Sequence, residues 1–434
     1  MSNETNVTEN NLKPFSTLQL LNFCLGFFGL QFAWQMRIIL SGPVTEGLGA
    51  SPFLFGLIWL AGPVTGMVVQ PIIGELSDKT HTKFGKRRPY LLAGAIFASL
   101  ALWAFPNSAL IAENIAKMLH LPLHAFAGLV VAAIMIWIID ACVNAAQGPY
   151  RALVPDLVPQ YQHALANSYL SFAIGLGSVI AAGTAPFLKY VFKYQMSINA
   201  QFIMAALAFS LAMIWTCITI KEHKAEKIIK NIDISEKKDS TPFLTKVKDF
   251  FMSSPEVAKI CIMQLFTWIG IMSLFIFFTQ YTTHTVYGVP DLTSAAEEVK
   301  NQYSTLISKA TYFSSICFAI QNLICFLVSI PIGLLSTKFG NKKVHLLALA
   351  TLAATFIGMG LYPEPRFVLI CMAIAGIGWA SILALPFAML SEFIKKGSEG
   401  SVMGIFNIFI AGPQVLVCTL LAWVINQCKF EVSQ

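Results

Sequence analysis

The sequence predicts an all-helical membrane protein built from two similar helical bundles. Of its 434 residues, 56% are hydrophobic and only 12% are charged, whereas soluble chains average about 45–50% apolar and about 25% charged residues. Mean hydropathy is +0.67, and the apolar residues are grouped into stretches long enough to cross a bilayer. Short motifs at the ends of these stretches recur in the two halves of the chain. A soluble fold and a disordered chain are therefore excluded.

Eleven apolar stretches meet the length requirement for a membrane span, which is roughly 20 residues. We number them spans 1 to 11 in chain order. They are predicted at residues 18–40, 52–74, 90–106, 124–147, 164–187, 200–220, 258–280, 310–334, 344–361, 366–389 and 401–425. The residues after span 11 are too few for a further helix of this length, so we expect the twelfth span to be missing.

The spans divide the chain into four parts. Residues 1–17 form a polar tail, which lacks the basic segment and cleavage site of a signal peptide. Residues 18–220 are predicted to form a bundle of six helices, and residues 258–434 a bundle of five. Residues 221–257 are charged and lack strong periodicity, so we expect a solvated loop between the two bundles.

The basic residues predict the orientation, because Lys and Arg are enriched in cytoplasmic loops. With the N-terminus inside the cell, most of the 29 Lys and Arg residues fall in cytoplasmic segments. We therefore expect a multi-pass protein of the plasma membrane or cell inner membrane, and the net charge of +7 follows from topology rather than from a nucleic-acid partner. Arg37 is close to the outer end of span 1, and we expect its side chain to extend to the membrane interface.

Two sets of motifs recur in the two halves. After span 2 the chain reads Pro71-Ile-Ile-Gly-Glu-Leu-Ser-Asp78 and then Phe84-Gly-Lys-Arg-Arg88, and after span 8 it reads Pro331-Ile-Gly-Leu-Leu-Ser336 and then Lys338-Phe-Gly-Asn-Lys-Lys343. The second set, at the ends of spans 4 and 10, is Pro149-Tyr-Arg-Ala-Leu153 and Pro386-Phe-Ala-Met-Leu390. Such duplication is typical of transporters whose substrate site lies between two halves near the middle of the membrane.

Span 4 carries the polar residues that are most informative about function. Trp137, Asp140, Asn144, Gln147 and Arg151 follow one another at intervals of three or four residues, which places them on one side of an α-helix. Because a carboxylate exposed to lipid costs at least a few kcal/mol, this side must face a cavity or partner helices. Asp140 is the candidate proton carrier, and the alternative is a structural carboxylate bound to a neighbouring helix.

Arg151 lies eleven residues beyond Asp140, which is roughly 16 Å along a straight helix. The two side chains are therefore not expected to pair, unless Pro149 ends the helix early. Arg151 is either a substrate contact or an anchor at the cytoplasmic helix end.

Other polar and aromatic side chains suit the hydroxyls and flat faces of a neutral sugar. Each is a candidate substrate contact or a hydrogen-bonding group between helices. They are Gln31, Trp34 and Gln35 in span 1, Asn167, Ser171 and Ser178 in span 5, Trp268 in span 7, Trp379 in span 10, and Asn407 and Gln414 in span 11. A charged substrate would require more buried charges than the spans contain.

The motif after span 2 resembles the loop motif of the major facilitator superfamily, in which Gly74-x-Leu-x-Asp78 precedes Gly85-Lys-Arg-Arg88. Longer matches, such as Ile58-Trp-Leu-Ala-Gly-Pro63, Trp137-Ile-Ile-Asp140 and Gln147-Gly-Pro-Tyr-Arg151, resemble the sucrose–proton symporters of the glycoside-pentoside-hexuronide group. The resemblance implies a major facilitator fold of two pseudo-symmetric bundles, a cavity lined by spans 1, 4, 7 and 10, and Asp140 as the proton-linked residue. It assigns a conformational role to Gly74, Asp78, Gly85, Lys86, Arg87 and Arg88.

The chain departs from that group at three points. The group usually carries acidic residues late in span 7, where this chain has Phe278-Thr-Gln280. Arg37 stands where the group tends to have an uncharged residue, and the twelfth span is missing.

The sequence as a whole predicts proton-coupled transport of a sucrose-like disaccharide by alternating access, by a protein that functions as a monomer without cofactor or metal. The alternatives are transport of another glycoside, coupling to sodium, and a sugar sensor that does not transport. The chain has no phosphate-binding Gly-Lys-Ser/Thr loop and no nucleophile–base set within the spans, so neither an ATP-driven pump nor an enzyme is expected. Its nine cysteines lie mostly in apolar stretches and are expected to be buried thiols.

Overall fold

The computed structural model describes residues 13–50, 52–222, 243–252, 254–290, 297–394 and 397–421. Within these residues eleven helices are long and apolar enough to cross a membrane, as predicted. They are Thr17–Gly47, Leu57–Asp78, Arg88–Met118, Ala127–Leu157, Gln160–Val191, Ile198–Thr219, Pro255–Val286, Asn301–Phe339, Asn341–Leu361, Pro365–Ser391 and Glu399–Leu420. The first part of the predicted tail, most of the predicted loop and the residues after 421 lie outside the described residues.

The helices extend beyond the apolar stretches that predicted them. Span 3 continues through a short 3-10 turn at Phe105–Asn107 into the helix Ser108–Met118, and the helix of span 8 covers Glu297–Phe339. Hydropathy marks the part of a helix that lies in hydrocarbon, while the backbone hydrogen bonds continue into the polar interface. Pro149 does not end span 4, whose helix runs to Leu157, so Arg151 remains on the same helix as Asp140.

Spans 2, 7 and 11 also depart locally from a continuous α-helix. Span 2 consists of the helices Pro52–Trp59 and Ala61–Asp78, and span 7 ends in a π-helical turn at Thr282–Val286. Span 11 consists of the helices Glu399–Phe406 and Ile408–Leu416, which are separated at Asn407. At the break in span 11, the Asn407 side-chain amide donates a hydrogen bond of 2.8 Å to the Gly66 carbonyl of span 2.

Part of the predicted loop between the bundles is helical and packed, which corrects the expectation of a solvated loop. The helix Phe243–Phe251 precedes span 7, and the Phe251 ring stacks on Phe409 of span 11 with 5.8 Å between ring centroids. Lys246 forms an ion pair of 2.7 Å with Glu75 of span 2. The prediction from charge missed this segment because charged residues outnumber aromatic ones in the predicted loop as a whole, and the packing partner of Phe251, Phe409, is distant in the chain.

The repeated motif has the same local structure in both halves. Gly85 and Gly340 both adopt positive φ, at 99° and 89°, a conformation that glycine reaches without steric cost. One turn before each loop, the Ser77 hydroxyl donates to the Gly74 carbonyl at 2.8 Å, and the Ser336 hydroxyl donates to the Gly333 carbonyl at 2.8 Å. The sequence repeat therefore corresponds to a structural repeat.

We call spans 1–6 the first half and spans 7–11 the second half. Two other motif glycines, Gly74 and Gly333, occupy equivalent crossings between the halves. Gly74 packs on the backbone of Gly400 in span 11, where an added Cβ would collide with the Gly400 carbonyl oxygen. Gly333 packs on span 5, where an added Cβ would lie 2.6 Å from the Cβ of Ser168. Both crossings lie at the end of the assembly that carries the loop 79–87, which we call the basic end.

Contacts between the halves extend from the basic end to about the middle of the helices. On one side they reach Gly66 of span 2, which meets Asn407. On the other side they reach Gly175 of span 5, where an added Cβ would lie 2.9 Å from the Cβ of Phe326. The close packing of small residues is typical of helix interfaces in membranes, where small side chains allow backbones to approach.

The substitution Gly333→Leu should hold the halves apart at the basic end. A side chain at this crossing overlaps span 5, and overpacking of this kind costs about 1–3 kcal/mol. We expect a longer distance between spin labels placed on Thr82 and Lys343, measured by double electron–electron resonance.

Gly360→Leu is the matched control for this experiment, because an added Cβ at Gly360 meets no atom within 4 Å. An unchanged label distance in Gly333→Leu would show that the crossing tolerates a side chain.

Candidate functional site

The centre of the first half contains a buried ion pair. Nη2 of Arg37 in span 1 lies 2.5 Å from Oδ2 of Asp140 in span 4, and the two side chains are 1% and 0% exposed. The expectation that Arg37 extends to the membrane interface is therefore wrong. A carboxylate on the facing helix satisfies the guanidinium inside the protein, where an unpaired charge would be costly.

Aromatic rings and a glycine surround this pair. The Arg37 guanidinium lies 5.2 Å from the Trp34 ring centroid and 5.0 Å from that of Trp59, within the range of cation–π attraction. Gly62 of span 2 packs beside the pair, since an added Cβ would lie 3.3 Å from the Trp34 ring and 3.5 Å from Oδ2 of Asp140. Trp34 is half-buried, whereas the pair beneath its ring is almost completely buried.

A network of amides extends from the ion pair along span 4. The Asn144 amide donates to the Asp140 carbonyl at 2.9 Å and to the Thr65 hydroxyl at 3.0 Å. Its oxygen accepts a hydrogen bond of 2.7 Å from Gln70 of span 2. Gln147, one turn further along, is half-buried and lies 3.5 Å from the Gln70 amide nitrogen. The predicted polar side of span 4 thus faces span 2 over this stretch.

Arg151 has a different environment from Arg37. It is 5% exposed, and its guanidinium carbon lies 3.7 Å from the ring centroid of Phe387 in span 10 and 5.1 Å from that of Phe27 in span 1. Within the part of the chain that the structure describes, no carboxylate pairs with it, and its Nη1 has no hydrogen-bond partner. Phe387 belongs to the segment that echoes the Arg151 motif, so two related positions meet across the halves.

The second half places an aromatic cluster at the middle of its helices. The rings of Trp268 in span 7 and Trp379 in span 10 are 5.6 Å apart in an edge-to-face arrangement, and Phe275 lies 5.3 Å from Trp379. Trp268 Nε1 is buried without a hydrogen-bond partner. Neighbouring Gln264 is fully buried, and its side-chain nitrogen and oxygen both lack partners among the described atoms.

Several of the predicted sugar contacts form hydrogen bonds to other groups of the protein. The Gln31 amide donates to Ser178 at 3.1 Å, and Ser171 shares a 3.0 Å hydrogen bond with Ser329 of span 8. Asn167 is 1% exposed and donates to the His163 carbonyl of its own helix at 2.9 Å. Together with the Asn407 bond to Gly66, these contacts fit the alternative that the sequence left open.

Three further candidates, Trp137, Gln414 and Gln35, are at least partly exposed. Trp137 is 40% exposed and lines an open apolar groove of about 500 Å³ with Thr65 and Ile134. Gln414 is part-buried and donates to the Ile410 carbonyl of its own helix at 3.2 Å, and Gln35 is half-buried. The intervals along span 4 place Trp137 and Asp140 on one side of the helix, but Trp137 is 40% exposed whereas Asp140 is fully buried.

A charged cluster joins the halves at the basic end. Asp78 accepts hydrogen bonds from the Gly400 and Ser401 backbone amides at 2.9 and 2.7 Å, which places its charge at the N-terminus of span 11. Arg87 is fully buried and pairs with Asp78 at 2.6 Å. The complete set, called the basic-end cluster below, is Asp78, Lys86, Arg87, Asp156 and Glu399.

The basic-end cluster keeps its cations charged. Burial is the largest single influence on the pKa of Lys86 and would lower it, but the carboxylates of Asp156, 2.8 Å from the ammonium, and of Glu399 together raise the pKa above its ordinary value. The pKa of Arg87 is raised in the same way, by Asp156 and Asp78 against the effect of burial. Lys86 also pairs with Glu399 of the second half at 3.1 Å, so the cluster connects the halves by charge as well as by backbone capping.

Sequence reasoning missed four partners in these networks. Arg37 was the most detectable, because an arginine inside a span requires a buried partner and span 4 supplies the acid. Glu222, Asp156 and Glu399 stand singly at helix ends and carry no motif of their own. The Glu222 carboxylate accepts from the backbone amide of Lys86 at 2.8 Å, a contact that depends on how span 6 packs against the loop.

Comparison with known proteins identifies the family. A family model described as Major Facilitator Superfamily matches residues 23–417, and the chain belongs to that superfamily. It is an integral, multi-pass secondary transporter and not an enzyme.

Individual relatives are distant. The sucrose transport protein SUC4 of Arabidopsis thaliana is 25% identical over 426 residues, which cover 90% of this chain and 80% of that protein. The sucrose transport protein SUT1 of Oryza sativa subsp. japonica is 26% identical over 434 residues, with coverage of 90% and 79%. The resemblance to sucrose transporters is confirmed as a distant similarity.

Solved structures confirm the predicted fold. The Escherichia coli fucose:proton symporter FucP has a TM-score of 0.65 at 14% sequence identity, covering 95% of this chain and 93% of that one. A bacterial homologue of the iron transporter ferroportin in an outward-facing state has a TM-score of 0.63 at 12% identity, covering 92% and 91%.

A double-mutant cycle should show strong coupling within the central ion pair. Removing one partner of a buried pair costs about 3–5 kcal/mol, because the other charge is left unpaired. We expect Arg37→Gln and Asp140→Asn each to lower the thermal stability in detergent, and the double variant to recover part of the loss. Additive losses in the double variant would contradict a direct pairing.

Asp78→Asn should loosen the N-terminal end of span 11. The carboxylate at a helix N-terminus contributes about 1–2 kcal/mol when it is partly buried, so backbone amides in residues 399–406 should exchange with deuterium roughly tenfold faster. The control is Glu113→Gln, which removes an exposed pair with Lys117 and should change little. Equal exchange in the parent and in Asp78→Asn would show that the capping contributes nothing to closure.

Proposed function

We propose that this protein is a proton-coupled symporter of a neutral disaccharide, with a sucrose-like sugar as the first candidate. The observation that carries the proposal is the buried Arg37–Asp140 pair in the centre of the first half. Among the described residues, Asp140 is the acidic side chain buried at the middle of a span, whereas the other acids of the spans lie toward helix ends. A carboxylate held in this way can bind and release a proton as its environment changes.

The neutral character of the substrate follows from the groups near the contact between the halves. Gln147 and Trp34 are half-buried polar and aromatic side chains on the first half. Arg151 supplies a hydrogen-bond donor without a protein acceptor at Nη1, and Trp268 supplies a second at its indole nitrogen. Donors of this kind suit sugar hydroxyls, and the indole faces suit the apolar face of a sugar ring.

The distant relatives give the sugar its identity in this proposal. Two of them are described as sucrose transport proteins, and the residues of span 4 that resemble that group, Asp140 and Arg151, are both buried here. Arg151 contacts Phe387 of the second half, so a substrate that binds Arg151 would also sense the position of that half.

The cycle follows from the packing at the basic end. With the basic end on the cytoplasmic side, the contacts between the halves close the cytoplasmic entrance, and the site opens to the outside. Asp140 takes up a proton, and one sugar molecule binds between the two halves of the monomer. The basic-end cluster then separates, and the proton and the sugar leave on the cytoplasmic side. One proton moving down about 100 mV supplies about 2.3 kcal/mol, which supports roughly a fifty-fold sugar gradient.

Asp140→Asn should abolish accumulation driven by a pH gradient. Asn cannot carry the proton, so the purified variant in proteoliposomes should take up labelled sucrose only to equilibrium, whereas the parent should concentrate it.

Arg151→Lys should reduce uptake strongly, because Lys keeps the charge but loses the planar fork that stacks on Phe387.

The conditions of this experiment separate the remaining candidates. A sugar panel identifies the substrate, and imposed sodium gradients with and without an uncoupler distinguish proton from sodium coupling. Sugar binding without any flux would indicate a sensor. Undiminished gradient-driven accumulation in Asp140→Asn would remove Asp140 from the coupling role.

A further inference from the structure

Arg37 and Arg151 differ in which half of the protein contacts their guanidinium groups. Among the described residues, the groups that contact the Arg37 guanidinium all belong to the first half. They are Asp140 on span 4, Trp34 on span 1 and Trp59 on span 2. Arg151 instead stacks on Phe387 of the second half. A rigid movement of one half against the other therefore separates Arg151 from Phe387, but it does not by itself separate Arg37 from Asp140.

The Arg37–Asp140 pair is also remote from other charges. Span 2 faces Asp140 with Gly62 and contributes the uncharged Thr65 and Gln70 to the adjoining network. Among the described residues, the charged side chains of spans 2, 3 and 11 lie toward the helix ends, and the next charge on span 4 is Arg151. Inside the membrane, Asp140 consequently has one ion-pair partner within 4.0 Å in the described part of the chain.

The pair retains unused hydrogen-bonding capacity. Nε of Arg37 and Oδ1 of Asp140 are buried without partners among the described atoms. The geometry therefore holds the two charges together by a single short contact, and not by the two parallel hydrogen bonds that fork-to-fork pairing would give. A contact of this kind leaves one carboxylate oxygen available to a proton while Arg37 stays in place.

Building on the proposed proton symport, we propose that Arg37 is a positioning residue that supplies the counter-charge for the sugar-free return of the carrier. When Asp140 is ionised, the pair has no net charge, and the first half can move without an unpaired charge in its core. When Asp140 gains a proton it becomes a neutral acid, Arg37 remains a cation, and the pair carries one positive charge. Arg37 thereby permits Asp140 to give up its proton before the empty carrier reorients.

A purely structural arginine would behave differently. If Arg37 only held spans 1 and 4 together, its replacement would weaken every transport mode to the same extent. The proposal instead separates two modes. Sugar exchange uses only the loaded carrier, with Asp140 protonated, whereas net accumulation also needs the sugar-free return with Asp140 ionised.

The test compares Arg37→Gln with the parent in proteoliposomes. Exchange of labelled for unlabelled sucrose at equal concentrations, expressed per folded protein, should fall much less than accumulation driven by a pH gradient. The accumulation should fall roughly tenfold or more, because a buried carboxylate without a counter-charge keeps its proton. Arg37→Lys restores the positive charge and should recover part of the accumulation. Equal losses of exchange and accumulation in Arg37→Gln, with Arg37→Lys no better, would overturn the proposal.

A second readout needs no sugar. Infrared difference spectra of the sugar-free protein against Asp140→Asn identify the carboxyl band of Asp140, and at neutral pH this residue should be ionised in the parent and in Arg37→Lys but protonated in Arg37→Gln. An ionised Asp140 in Arg37→Gln would overturn the counter-charge role. If the parent transports no sucrose but the infrared result holds, the substrate assignment fails and the role of Arg37 stands. If Arg37→Gln does not fold, a protonated Asp140 in Arg37→Lys is the outcome that contradicts the proposal.

Discussion

A charge inside a membrane protein requires a counter-charge, and much of the first half is arranged around that requirement. Arg37 and Asp140 come from spans that are far apart in the chain, and their pairing brings spans 1 and 4 together against span 2. Gly62 packs beside the pair, and the rings of Trp34 and Trp59 cover the guanidinium.

The same principle operates at the basic end with a different outcome. There the charges of the basic-end cluster belong to both halves, since Lys86 and Arg87 contact Glu399, and Asp78 caps the N-terminus of span 11. These contacts must break when the halves separate, whereas the Arg37–Asp140 pair can remain intact. The molecule thus contains one ion pair that moves with its half and one cluster that depends on the closed arrangement. In the proposed cycle, proton binding and conformational change are therefore controlled by different residues.

Glycine makes the closed arrangement possible. Gly74 on Gly400 and Gly333 on Ser168 are equivalent crossings in the two repeats. At the first crossing two helix backbones meet directly, and at the second only the small Ser168 side chain lies between them. The repeats are nevertheless unequal in charge, because the second motif has no counterpart of Asp78 and the residue that matches Arg151 is Ala388. Symmetry therefore supplies the shared architecture, while the polar chemistry is concentrated in the first half.

The residues themselves determined the fold class, the eleven spans and the internal repeat, because hydropathy and motif spacing are local properties of the chain. They also predicted that Asp140 faces a cavity or partner helices, since a membrane restricts where charged groups can lie, but they left Arg151 open between a substrate contact and an anchor at the helix end. The tertiary structure decided what each polar group contacts. It paired Arg37 with Asp140, placed Phe387 on Arg151, moved Trp137 to an exposed groove, and used Gln31 and Ser171 between helices. Periodicity gives the face of a helix but not the helix opposite to it, and partners more than a hundred residues apart are chosen by packing.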